Sequence, residues 1–296
     1  MNKIYMKTVF ALLSLFVYAS NKAIASDLHL RGPSSDNLIS ILANDASEDI
    51  YENNTHLICT DPEEARNAEK LMKEAVALLQ YHTQNEEGYD LYNIYDEDAA
   101  IYFKNHDGID IGKLELKIPG PDNYDDIVKI LWDPNGAQLF DGNFINGKFM
   151  RIYDPNLVIV QLRSRSLVGL AQEYLCALAH KVEVSENETI IVHASANIND
   201  HNDTYEYGYR NSVLENANSF HAEIESDEDI RNGEIIKTYI NLSGCIIKKE
   251  DDCVNLTCVN SIDVESPIME DLILKVVKAT KIAALTNLKI TLENSS

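Results

Sequence analysis

The order of the secondary-structure signals predicts an α+β domain built on an antiparallel sheet. Three observations carry this: an amphipathic helix before the first strand, a succession of hairpin-length strand segments with no crossover helices between them, and a long amphipathic helix after the last strand.

The first helix is signalled at Asp61, which can cap. Pro62 takes the first turn, Glu63 and Glu64 complement the dipole, and Ala68, Leu71, Met72, Ala75, Val76 and Leu79 form one apolar face that ends before Gly88. Strand segments follow at Tyr89 to Tyr95, Ala100 to Lys104 and Ile111 to Ile118. A second helix is expected from Asn123 to Trp132, with Asp125 and Asp126 in its first turn, and Asp133-Pro134-Asn135-Gly136 ends it. Further strands are expected at Lys148 to Tyr153, Leu157 to Arg163, Tyr174 to Val184, Thr189 to Asn197, Ile235 to Lys248 and Cys253 to Ile262. Asn199 to Asn211 is a polar loop, and Asn216 to Ser226 fits a short helix or an edge strand. The last helix runs from Pro267, behind the capping Ser266, to Leu292. Its apolar residues recur at three- and four-residue spacing, and Lys275, Lys278 and Lys281 read as a solvated line on another face. An apolar face this long must cover something.

The chain of 296 residues opens with a secretory leader: Lys3 and Lys7, an apolar centre from Val9 to Val17, and Ala23-Ile24-Ala25 as cleavage site. Residues 1–25 are therefore expected to be removed, 26–60 to form a leader or linker around Arg31-Gly32-Pro33, and 61–296 to form one domain. No other apolar run approaches the ~18 residues of a membrane span. The formal net charge of −23 opposes binding to nucleic acid and to anionic headgroups, with acidic clusters at Glu225 to Asp229 and Glu250 to Asp252 read as solvated loops. The five cysteines leave at least one unpaired within the chain; Cys245 and Cys258 flank a turn, so a cross-strand disulfide between them is one available pairing. Sequons at Asn53, Asn187, Asn202, Asn241, Asn255 and Asn294 carry little weight in a chain this rich in Asn.

No catalytic constellation or metal set assembles. Ser195 lacks a Gly-x-Ser-x-Gly context, His193 on an apolar strand reads as a structural histidine, and Asn199 to Asp203 reads as a solvated, hydrogen-bonding turn rather than a calcium loop. Arg151 and Arg163 lie in apolar strands. If Leu157, Ile159, Gln161 and Arg163 share one face, Gln161 and Arg163 point into whatever the sheet encloses, and a buried guanidinium there needs a carboxylate or a phosphate.

Four separated strings resemble the fam-a proteins of malaria parasites, a secreted family with a START-like domain: Ala68-Glu69-Lys70-Leu71-Met72, Lys129-Ile130-Leu131-Trp132-Asp133-Pro134-Asn135, Arg151-Ile152-Tyr153-Asp154-Pro155-Asn156-Leu157-Val158, and Ser195-Ala196-Asn197-Ile198-Asn199-Asp200-His201-Asn202. The resemblance covers essentially the whole chain and implies a helix-grip fold, a curved antiparallel sheet wrapped around the terminal helix and enclosing an apolar tunnel. It implies a non-enzymatic, monomeric carrier of one phospholipid, phosphatidylcholine first among them, without cofactor or metal and with transient contact to membranes. Leu272, Ile273, Val276, Val277 and Thr280 would then belong to a lid helix. The alternative is a secreted antigen or adhesion module that keeps the shape with a filled cavity.

The phosphatidylcholine-binding pattern of START-like domains maps onto the chain in part. Asp141 fits the Asp that follows the second helix, while the position of its partner Arg is Ala137. Tyr174 resembles the headgroup-contacting Tyr, and Tyr239 with Asn241 a later Tyr and amide. An aromatic ring often found near Gln161 is absent, and Arg163 is the candidate replacement for the missing cation. Arg31 is followed by Gly32-Pro33, so no Arg-x-Leu export string follows the leader. The vacuole around the parasite is the expected compartment, ahead of the host erythrocyte.

Overall fold

The computed structural model describes residues 38, 40–42, 54–167, 171–202, 209–263 and 271–293. Helix α1 spans Pro62–Gln84 and is capped as its sequence requires, Asp61 accepting the backbone N–H of Glu63 and Glu64. Strands β1 (Asp90–Asp96), β2 (Ala99–His106) and β3 (Ile109–Pro119) follow, then α2 (Tyr124–Trp132), β4 (Phe144–Asp154), β5 (Leu157–Arg165), β6 (Gln172–Ser185) and β7 (Glu188–Ala194). Short elements come next: β8 (Asn197–Asn199), β9 (His221–Glu223), α3 (Glu228–Arg231) and β10 (Ile236–Lys237). The chain ends with β11 (Tyr239–Lys249), β12 (Cys253–Asp263), α4 (Asp271–Ala283) and α5 (Asn287–Glu293).

Nine strands form one antiparallel path in the order β1-β2-β3-β12-β11-β7-β6-β5-β4, with β10 adding to β6 in parallel and β8 pairing with β9 apart. β11 and β12 thus lie in the middle of the sheet although they close the strand sequence. Both faces of the sheet are buried along β5 and β7, whereas β1 is exposed throughout. On the outer face α1 sets Ala68, Leu71, Met72, Ala75 and Leu79 against Ile159, Leu178, Ile190, Val192 and Leu242. On the inner face α2, α4 and α5 meet Leu114, Leu116, Val158, Val160, Ile191 and Ile247. Burial on both sides explains why these strands read as nearly continuous apolar runs. Gly244 leaves no room for a side chain between β7 and α1: a Cβ there would stand 2.3 Å from the Ile191 carbonyl oxygen and 3.1 Å from Leu79. Glu64, in the first turn of α1, accepts Arg151 and the Tyr153 hydroxyl of β4, which gives Arg151 its partner.

Several expectations are corrected. The terminal helix is not continuous: α4 and α5 are separated by a 3-10 turn at Ala284–Thr286, where the Thr286 hydroxyl bonds the Ala283 carbonyl and the Asn287 amide donates to the Phe140 carbonyl. Its expected start at Ser266 and Pro267 lies outside the described residues, as do the side chains of Leu272 and Ile273. The strand expected to reach Asn197 stops at Ala194, because the Ser195 hydroxyl accepts the Ile240 N–H and donates to the Cys176 carbonyl. The segment from Asn216 to Ser226 holds both alternatives in sequence, a 3-10 turn at Glu215–Ser219 and then β9. Cys245 and Cys258 stand directly opposite each other on β11 and β12 and form a disulfide. Within the segment read as a leader, Leu38 and Ile41 pack into the inner core and Ile58 bridges to Ile152.

Candidate ligand cavity

Between the inner face of the sheet and α4 the core is hollow. A chamber of about 380 Å³ lies toward the C-terminal end of α4 and a second, of about 210 Å³, lies deeper under α2. Ala137, Phe140, Leu162, Ile240, Asn260 and Lys281 line both, so the two spaces adjoin. The deeper chamber is walled by Ile130, Val160, Ile191, Ile282 and Leu285. The larger has a charged side. Glu173 of β6 alternates with Tyr174 and so faces inward, where its carboxylate accepts the Lys281 ammonium of α4 at 2.5 Å and the Ser164 hydroxyl at 3.3 Å. Asp141 stands beside this pair. Burial pushes its carboxyl up from the usual value, and the Asn143 backbone N–H and the Lys281 ammonium oppose that shift.

The lysines of α4, expected to be a solvated line, instead hold the helix to the sheet. Lys281 pairs with Glu173, Lys278 lies 3.4 Å from Asp110 at the start of β3, and Lys275 sits over the Phe103 ring at 5.1 Å. On α5, Lys289 reaches Asp98 at 2.5 Å in the β1–β2 turn, and this contact raises the Lys289 pKa. A helical wheel shows the lysines aligned; the acids that meet them come from elsewhere in the chain.

The residues singled out from sequence fall into two groups. Asp141 and Thr280 line the larger chamber. Val277 is buried and Val276 partly so, but neither lines a chamber; Lys281, Ile282 and Ala283 do, and the periodicity gave no signal for the first of these.

Gln161 and Arg163 face the opposite way from the expectation. Val158, Val160 and Leu162 are the inward residues of β5, and Gln161 and Arg163 share the outer face with Leu157 and Ile159. The insertion between β7 and β11 covers that face and supplies the acids. Arg163 donates to Asp229 at 2.7 and 2.9 Å and to Asp227 at 2.6 Å, so two members of the supposedly solvated acidic cluster are its counter-ions, with carboxyls held below the usual range by Arg163 and, first for Asp227, by Lys148. Gln161 is buried, with neither amide atom bonded among the described residues.

Tyr174, Tyr239 and Arg163 border the larger chamber, yet the polar ends of Tyr174 and Arg163 are committed elsewhere and the Tyr239 ring is stacked. The Tyr174 hydroxyl donates to Asp200 and accepts from Asn202, Tyr239 stacks on Tyr209, and Asn241 accepts the Tyr209 hydroxyl. Asp200 is not in a solvated turn: it is 2% exposed and pairs with Lys237 at 2.7 Å. Of the headgroup set expected from resemblance, the side chain whose charge reaches the cavity is thus that of Asp141; Lys281, Arg165 and Asp263 also line that chamber, and Glu173 acts on it through its pairing with Lys281.

No family model and no curated protein matches the sequence. Solved structures are similar in fold. Human StAR-related lipid transfer protein 5 superposes with a TM-score of 0.54 at 9% identity, over 78% of this chain and 97% of that one. Human STARD10 superposes with a TM-score of 0.51 at 13% identity, over 72% and 76%. The sheet order, the helix laid across its inner face and these superpositions agree: the chain has the α+β helix-grip fold of START-like domains.

Proposed function

We propose that this chain binds a single phospholipid in the inner cavity and carries it between membranes, with α4 as the element that opens. The observation that carries this reading is the joining of a chamber with a charged side to a chamber with aliphatic walls beneath one helix, a shape and polarity suited to an amphiphile. Acyl chains leave a bilayer at a cost of about 0.8 kcal/mol per methylene if they meet water, and the aliphatic chamber removes part of that cost.

A phosphocholine head suits the charged side. In this reading the Lys281 ammonium binds the phosphate, and the Asp141 carboxylate with the Phe140 and Phe144 rings binds the quaternary ammonium. These rings stand in for the aromatic residue missing near Gln161, which makes phosphatidylcholine the first lipid to test. The fam-a resemblance and the leader at residues 1–25 support secretion into the vacuole around a parasite, and the net charge of −23 favours transient contact with zwitterionic rather than anionic membranes. The protein would act as a non-enzymatic monomer.

Native mass spectrometry of protein incubated with mixed phospholipid vesicles, together with a vesicle-to-vesicle transfer assay, tests the proposal. One bound phospholipid per chain and accelerated transfer are expected. Protein that stays empty and leaves the transfer rate unchanged overturns the proposal and points to the adhesion alternative.

A further inference from the structure

The inner surface carries one row of uncharged polar side chains. His193 of β7 is the register partner of Ser243 on β11, and Ser243 is the register partner of Asn260 on β12. Residues directly opposite on adjacent strands share a face, so the three side chains stand side by side. All three line the deeper chamber, where the surrounding walls are Val160, Ile191, Ile282 and Leu285. Asn260 also borders the larger chamber. Asn260 therefore stands where the two chambers adjoin, with Ser243 and His193 beside it within the aliphatic one.

Asn260 Oδ1 is shut off from solvent and accepts no hydrogen bond among the described residues. A buried polar atom without a partner is costly, and because Asn260 lines the chamber, a rotation of its amide brings Oδ1 to a donor held there. Burial holds the His193 ring neutral, with a pKa lowered to about 4, so it offers one donor and one acceptor. Ser243 offers the same pair of functions and Asn260 the two ends of its amide. A charged group has no counter-ion in this row. The ester carbonyls of a diacyl lipid accept only and leave Asn260 Oδ1 unmet, whereas a hydroxyl both donates and accepts.

We propose that His193, Ser243 and Asn260 bind a free hydroxyl on the backbone of the lipid, next to its phosphocholine head, and so select hydroxyl-bearing phospholipids over diacyl ones. The proposal rests on the lipid-binding reading above and names the ligand class within it. Two lipids carry this chemistry: lysophosphatidylcholine, with one acyl chain, and sphingomyelin, whose sphingoid base bears the hydroxyl.

The test is equilibrium competition against a fluorescent single-chain phosphocholine on the folded protein. The competitors are palmitoyl lysophosphatidylcholine, its analogue with the backbone hydroxyl methylated, palmitoyl sphingomyelin and dipalmitoyl phosphatidylcholine. The free hydroxyl is expected to improve binding at least about tenfold over the methyl ether, because an analogue that cannot donate leaves buried polar atoms unmet. Asn260→Leu should bring that ratio close to one while the methyl ether still binds. Ser243→Ala, which removes a single oxygen, should lower the ratio in a protein that folds even if Asn260→Leu does not. Whichever of sphingomyelin and lysophosphatidylcholine competes better identifies the backbone. Equal binding of the alcohol and its methyl ether, or a ratio that neither substitution changes, overturns the proposal and leaves the lipid-binding reading standing. Failure of every phosphocholine lipid to displace the probe, or of the probe to bind, removes both.

Discussion

The ammonium of Lys281, on the helix that closes the cavity, lies 2.5 Å from the carboxylate of Glu173, on the sheet beneath it. The Glu173 side chain is 8% exposed and that of Lys281 25%, so neither can be removed alone without stranding the other in a poorly solvated place. Lys281→Met should therefore destabilise the protein by about 1–3 kcal/mol, and Glu173→Gln by less. The double variant should recover most of the loss, because the coupling of a contacting pair lies in the same range. Loosening α4 should also release bound lipid about five- to tenfold faster in Lys281→Met, as a change of roughly 1–1.4 kcal/mol in closure would give. Urea denaturation of the cycle and stopped-flow transfer of a fluorescent phospholipid measure both. Stability unchanged in all three variants would show that the contact does not hold the helix.

Arg163 is paired with Asp227 and Asp229 on the outer face, so its loss should leave lipid selectivity alone. The two acids stay partly open to water, with side chains 47% and 36% exposed, and the expected cost of Arg163→Met is about 1–2 kcal/mol rather than the 3–5 kcal/mol of a fully buried pair. Amide hydrogen exchange should rise locally around α3. A change in the lipids that co-purify, without that local loosening, would place the guanidinium in the cavity after all.

Arg163 also shows where sequence reading stops. The start of α1 was legible because Asp61, Pro62 and Glu64 act on neighbouring backbone, and the facing of Cys245 and Cys258 was legible as an option because one hairpin joins them. Alternation along β5 separated Val160 from Gln161 correctly, but both faces of this strand are buried, so periodicity could not say which face met the cavity. That choice is made by the insertion that brings Asp229 to Arg163 from 66 residues away, and nothing local to β5 encodes it. The lysines of α4 failed for the same reason. Their spacing is local, but Glu173 and Asp110 are not.

Two histidines should make the fold acid-sensitive. His82 on α1 is 4% exposed beside the Tyr89 hydroxyl, His193 faces the deeper chamber, and burial lowers both from 6.5 to about 4. The unfolded chain then binds protons that the native state refuses, so stability is whole above pH 6.5 and falls as pH drops toward 4. The loss is at most about 3–4 kcal/mol for each ring, at 1.36 kcal/mol per pH unit. Asp141, raised by burial, titrates in the opposite sense, so the comparison with a variant isolates the histidine. His193→Leu should be less sensitive than the wild type between pH 6.5 and 4.5 in urea midpoints measured at half-unit intervals. Parallel curves for the two proteins would mean that His193 is solvated and charged in the native state.

The disulfide between Cys245 and Cys258 joins the two central strands of the sheet, at positions already fixed by ladder pairing. Because β11 and β12 pair with or without it, the bond has little to add to the native structure and acts mainly by restricting the unfolded chain. The residues lie 13 apart in sequence, a loop for which the expected stabilisation is about 3 kcal/mol. The double variant Cys245→Ala/Cys258→Ala should therefore fold to the same sheet with a urea midpoint lower by roughly 1–2 M, taking a slope of about 2 kcal/mol per molar. Both sulfurs are buried and both residues line the deeper chamber, so reductant should act slowly on native protein and quickly once urea exposes the hairpin. Removing the two sulfurs, which leaves each side chain as its Cβ methyl, also enlarges that chamber, and the longest acyl chain retained in native mass spectra should increase or stay the same. A midpoint unmoved by the double substitution would show that the hairpin is already closed in the unfolded chain, and a shorter retained chain would show that the chamber collapses onto the space.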